Sequence, residues 1–202
     1  MTPAAMDITG RRAAWLAALC AVLAAWGFGA ALEGYSQSQH PLALLGARGV
    51  PRALAFNLAG FVVPGLLAAT AAIALRARLP VEAGWTARIG ARMLLLSGVA
   101  FAAQGLLPLD PGDLDGATSG RHATAWTLWW IAAAAGAAGV GIGLPRRPGW
   151  RALAGIALLT SALVAWFALA PPAGWPAGLA PRLGFGTWLG LLLASGAAGE
   201  RR

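Results

Sequence analysis

Six apolar runs, each roughly as long as a helix crossing the hydrocarbon core of a bilayer, divide this chain, and none carries Asp, Glu, Lys or Arg near its middle. They fall at about Ala13–Leu32, Ala53–Leu75, Ile89–Leu107, Ala123–Leu144, Ala152–Ala170 and Leu183–Ala198. Polar or proline-rich connectors separate them. Only 11% of the 202 residues are charged, whereas a soluble domain carries about 25% to solvate its surface. The runs and the composition together predict an all-α integral membrane bundle of six transmembrane helices, with residues 1–202 forming a single transmembrane domain. Proton-coupled transport is disfavoured, because it needs ionisable groups at depth.

Orientation follows from the basic residues, all 15 of which are arginines. One alternating set of segments holds Arg11, Arg12, Arg76, Arg78, Arg88, Arg92, Arg146, Arg147, Arg151, Arg201 and Arg202; the opposite set holds Arg48, Arg52, Arg121 and Arg182. By the positive-inside rule both termini are cytoplasmic. The net charge of +8 thereby reads as a topology signal, and nucleic acid is not expected as a partner. The run after Arg11-Arg12 is too long for a typical signal peptide and fits an uncleaved first helix. Cys20, the only cysteine, excludes a disulfide within the chain and reads as a packing residue.

The same orientation puts the acidic stretch "LLPLDPGDLDGATSGRH" outside, between the third and fourth spans. It contributes Asp110, Asp113, Asp115 and His122. The longer connector Glu33 to Arg52 lies on the same face. Two amides sit just below: Asn57 about 7 Å inside Arg52, and Gln104 about 9 Å beneath Asp110, at the usual helical rise. An unpaired amide in hydrocarbon is costly. Each should therefore join an interhelical hydrogen bond, Asn57 with Gln104 for example, or line a cleft. His122, Trp126 and Trp129 follow spacings of four and three and share one helical face. They form either an aromatic belt and packing surface or the wall of an apolar pocket. Pro64 should kink the second span on the face that holds Asn57. The pairs Gly139 with Gly143 and Gly186 with Gly190 have the close-packing spacing of membrane helices.

The stretch "FAAQGLLPLDPGDLDGATSGRHATAW" resembles the outer loop of a bacterial multi-pass membrane family catalogued as domain of unknown function 998, through Pro108, Asp110, Gly120 and His122. "EGYSQSQHPLALLGARGVPRALAFNLAGFVVPGLL" is similar to the same family through Tyr35-Ser36, Leu45-Gly46, Asn57 and Gly65. The likeness covers the outer half of the first four spans. Ala43-Leu44 stands where the family commonly has Ser-Asp, so a carboxylate usual there is missing. The resemblance implies a six-helix bundle in a bacterial inner membrane and names no activity.

Three functions fit these residues. In the first, Asn57, Gln104, Asp110, His122, Trp126 and Trp129 form an outward site for an amphipathic molecule, a membrane lipid or an isoprenoid. In the second, Asp110 and His122 act as catalytic acid and base on such a substrate; a carboxylate beside the imidazole would favour its protonated form. Asp110, Asp113 and Asp115 could loosely chelate a divalent metal; no other cofactor is expected. Alternatively these loop residues are a solvated turn, with Asp115, Thr118 or Ser119 capping the fourth helix. In the third, the chain is an accessory subunit, assembled with copies of itself or with another membrane protein.

Overall fold

The computed structural model describes residues 3–144 and 148–199. Arg146, Arg147, Arg201 and Arg202, four of the arginines used above for orientation, lie outside them. The described chain is all-helical, with 76% of residues in helix and no strand among the described residues. Its helices are α1 (Pro3–Ala30), α2 (Ala53–Arg78), α3 (Trp85–Leu106), α4 (Ala117–Gly143), α5 (Pro148–Leu169) and α6 (Leu179–Ala197). A 3-10 helix, Leu42–Gly46, interrupts the first long connector.

Proline sets several of the ends. α2, α3 and α5 each stop two residues before a proline, at Pro80, Pro108 and Pro171. The residue preceding a proline is pushed out of the helical region, and the helix cannot pass it. The helices also run beyond the apolar stretches. α1 begins at Pro3 and holds Asp7, Arg11 and Arg12 within helix, helped by the Asp7–Arg11 pair at 3.4 Å one turn apart.

α1 to α5 are long and apolar enough to cross a membrane. α6 falls short of that measure because Pro181 and Arg182 occupy its first turn. Each helix packs on the next and α6 returns to α1, so six antiparallel neighbours close a ring. At one end, here called the terminal end, Arg78 pairs with Asp7 at 2.9 Å and donates to the carbonyls of Ser195 and Ala198 at 2.6 and 3.3 Å. The other, the loop end, gathers the connectors 31–52, 107–116 and 170–178.

Small residues let the helices approach. A Cβ built at Gly98 on α3 would lie 2.6 Å from Ala69 N and 2.8 Å from Gly65 O on α2. On the next seam, Gly90 of α3 faces Gly136 and Gly139 of α4 in the same way. Side-chain hydrophobicity gives lipid-immersed helices little reason to associate, so backbone proximity of this kind holds them. Of the two glycine pairs noted in the sequence, Gly139 and Gly143 sit against α3, whereas Gly186 and Gly190 have no atom within 4 Å of a built Cβ. The centre of the ring is aromatic: Phe56, Phe61, Phe101, Trp129, Phe185 and Trp188 meet largely edge to face, the arrangement that ring quadrupoles favour.

Candidate functional site

Pro64 does not break α2. The helix loosens ahead of it into a π-helical turn, Asn57–Val62, where Val63 N–H donates to Leu58 O, five residues back. Pro64 has no N–H to give, and the wider turn ahead of it accommodates the missing donor within one continuous helix. A ladder spaced by five brings residues five apart onto one face. Phe56 and Phe61 therefore both point inward, 5.5 Å apart edge to face, and Asn57 is buried beside them.

Asn57 does not pair with Gln104. Its Nδ2 donates to the carbonyl of Gly46 at 2.9 Å, across the space that a side chain at Gly46 would occupy. The amide thereby holds the end of the 3-10 helix down on the bundle. A second fastening comes from α6. Arg182 donates through Nη1 to His40 O and Gly178 O, both at 2.8 Å. Through Nη2 it donates to the Tyr35 hydroxyl and to Gln37 Oε1. Gln37 in turn donates to Ala25 O of α1 at 2.7 Å. Burial pushes the Tyr35 phenol above its ordinary pKa, outweighing the opposing pull of Arg182, so the ring keeps its proton at neutral pH. The connector 31–52 is therefore a packed roof, fixed at one side by Asn57 and at the other by Arg182.

Beneath the roof lies a cavity of about 340 Å³. Its floor and walls come from Phe61, Gln104, His122, Trp126 and Phe185, with Leu42 of the 3-10 helix above. His122 Nδ1 lies 2.8 Å from Leu107 O. A carbonyl only accepts, so this nitrogen carries the proton and a neutral ring presents Nε2 as an acceptor. Gln104 is 1% exposed, and its Nε2 has no hydrogen-bond partner among the described residues. The two polar groups that border the cavity are thus the His122 ring, held by the Leu107 carbonyl, and a Gln104 amide whose Nε2 donor is unpaired among the described residues, within otherwise apolar walls.

The other residues singled out in the sequence lie elsewhere. Trp129, 1% exposed, is packed into the core against Phe185 and Trp188, with ring centroids 4.4 and 5.9 Å away. The expected Asp110–His122 pair is not formed. The Asp110 carboxylate turns to Arg48 at 3.7 Å and accepts from Gly112 N–H at 3.1 Å, while His122 is engaged by Leu107. Exposed pairs such as Arg48–Asp110 contribute about 0–1 kcal/mol. Ser119 does not cap α4; it stitches the hairpin, accepting from Asp110 N–H at 3.1 Å and donating to Asp113 O at 2.8 Å. The N-cap is Gly116, with no side-chain cap. Asp110, Asp113 and Asp115 do not converge with one another: no group of three His, Cys, Asp or Glu side chains able to hold a metal occurs among the described residues.

Arg182, Tyr35 and Gln37 were not singled out as a group by sequence reasoning, although an arginine directly after a proline at the start of an apolar run was a usable signal. Phe61 and Phe185 look like ordinary core residues in the sequence. In comparisons with protein families, characterised proteins and solved structures, the chain matches none. The resemblance to domain of unknown function 998 rests on the quoted residues alone.

Proposed function

We propose that this chain is a six-span protein of a bacterial inner membrane, both termini cytoplasmic, that receives a lipid-like or isoprenoid amphipath in the cavity beneath its outer roof. The observation that carries this reading is the Gln104 amide: buried, bordering a cavity and without a partner for its Nε2. A buried donor left unsatisfied destabilises a protein by about 1–3 kcal/mol, and an oxygen of a bound ligand would recover that loss. His122 Nε2 would accept from a hydroxyl on the same ligand. Phe61, Trp126 and Phe185 would face its hydrocarbon part. The volume is at the lower end of small-molecule sites, which begin at about 300 Å³, and suits a short isoprenoid or the head and upper chain of a lipid.

The sixth span is α6. Its 19 residues make about 28 Å of helix, close to the hydrocarbon thickness of about 30 Å. Arg182 lies at the loop end, where a guanidinium belongs at the headgroup level. Sidedness follows the arginines: Arg11, Arg12, Arg76, Arg78, Arg88, Arg92 and Arg151 belong to the terminal end and four others to the loop end.

The test compares wild type with Gln104→Leu in detergent, using a C15 isoprenoid alcohol as the probe, with binding followed by native mass spectrometry and folding by thermal melting. Leucine removes the orphan donor. The ligand-free variant is expected to melt at or above the wild-type temperature while its affinity for the alcohol falls roughly tenfold, as for about 1.4 kcal/mol of lost interaction. Unchanged affinity in the variant, or no binding by the wild type, would overturn the reading. His122→Phe should weaken binding of the alcohol but not of a hydrocarbon of the same length.

A further inference from the structure

A second hollow, separate in the chemistry it offers, lies where α1 and α6 part. At the terminal end the two helices touch: a Cβ at Gly196 would lie 3.2 Å from Arg11 Cγ and 3.5 Å from its Cα. Toward the loop end they diverge around a groove of about 200 Å³. Arg182, Phe185, Gly186 and Leu189 line it from α6, at spacings of three, four and seven that put them on one helical face. That stripe is about 10 Å long at 1.5 Å per residue. Val22 and Trp26 form the α1 wall, and both belong to the outer, apolar surface of the ring, 52% and 65% exposed. The groove is thus reached from the hydrocarbon side of the bundle. Its floor is open over Gly186, where no atom comes within 4 Å of a built Cβ.

At the head of the groove stands a cation with no counter-charge among the described residues. The four Nη N–H groups of Arg182 are directed at neutral groups, three carbonyl oxygens and a hydroxyl. Its Nε is buried without a partner among the described residues. No carboxylate forms a salt bridge with it there. A guanidinium at the edge of hydrocarbon, uncompensated by the protein, attracts an anion far more strongly than one in water, because the effective dielectric constant is lower.

We propose that this groove binds an acidic phospholipid drawn laterally from the surrounding bilayer, its phosphate beside Arg182 and one acyl chain along Phe185, Gly186 and Leu189. Charge selects the headgroup, and access from the lipid-facing side selects a membrane lipid over a solute. The site is independent of the cavity beneath the roof, although Leu42 and Phe185 border both.

The full chain is purified in a neutral detergent and titrated with phosphatidylglycerol or phosphatidylcholine, retained lipid being counted by native mass spectrometry. Wild type is expected to retain one phosphatidylglycerol, preferred over phosphatidylcholine by roughly fivefold or more, the effect of about 1 kcal/mol from one cation on an anionic headgroup. Gly186→Leu fills the groove where no neighbour is met. It should lose the phosphatidylglycerol adduct with no change in melting temperature or in C15 alcohol binding. Arg182→Gln should retain both lipids equally; because that change also loosens the roof, Gly186→Leu decides the matter. Equal retention of the two lipids by wild type, or an undiminished adduct in Gly186→Leu, would overturn the proposal. So would displacement of phosphatidylglycerol by equimolar oleate, which would assign the groove to a free fatty acid.

Discussion

Gly90→Leu is expected to leave the protein without a cooperative thermal transition in detergent, while Gly155→Leu melts like wild type. The first built Cβ would lie 2.5 Å from Val140 N and 2.6 Å from Gly136 O, both backbone atoms of α4. Backbone cannot rotate aside, so the two helices must separate along the whole seam. Gly136 repeats the conflict from the opposite side, 2.8 Å from Leu94 N and 2.9 Å from Gly90 O. Overpacking in ordinary cores destabilises by about 1–3 kcal/mol. Here the loss lies at or above the top of that range, because close approach is the principal attraction available to helices in lipid. At Gly155 no atom lies within 4 Å, and a leucine there meets no neighbouring helix. Similar melting of both variants would show that the α3–α4 seam is not where the bundle draws its stability.

Asn57→Leu should release the roof while leaving the ring intact. The substitution removes the 2.9 Å bond to Gly46 O and leaves that carbonyl without its donor. The side chain is 6% exposed, so water cannot readily replace it. Losing such a bond and orphaning the partner destabilises by about 1–3 kcal/mol. The effect falls mainly on a local opening of residues 42–46 and less on the global transition. Protease cleavage within the connector 31–52 is expected to rise roughly tenfold, in line with about 1.4 kcal/mol per decade, with the melting temperature of the helices nearly unchanged. A connector cut at the wild-type rate would mean that its other fastenings, Arg182 and the Gln37 bond to Ala25 O among them, hold the roof without Asn57.

The all-helical class, the number of helices and the apolar length of five of them are legible in the sequence, because hydropathy is additive along the chain. Pairing is not. Asn57 and Gln104 have comparable depths, and depth is all that counting residues can supply. The π-helical turn ahead of Pro64 helps to set the direction in which Asn57 points, and nothing local announces that an i→i+5 register will precede the proline. Trp129 illustrates the same limit. Its spacing from His122 and Trp126 puts it correctly on their face, yet that face passes from the cavity into the core within one turn. The groove is hidden for another reason: Gly186 and Gly190 carry the same spacing as Gly139 and Gly143, but only the second pair finds a neighbour. A glycine marks permission for contact and does not state whether contact occurs.

The bonds from Arg78 to Asp7 and to the carbonyls of Ser195 and Ala198 join the beginning, the second helix and the end of the described chain. Contacts so far apart in sequence form late, since the intervening segment must first be brought round. Helices entering the bilayer in order would stand as an open horseshoe until α6 arrives, with Arg78 already holding Asp7 and awaiting its two carbonyls. The last helix is thus the keystone of assembly, and the interval before it is set is when a neighbouring copy could supply one in its place.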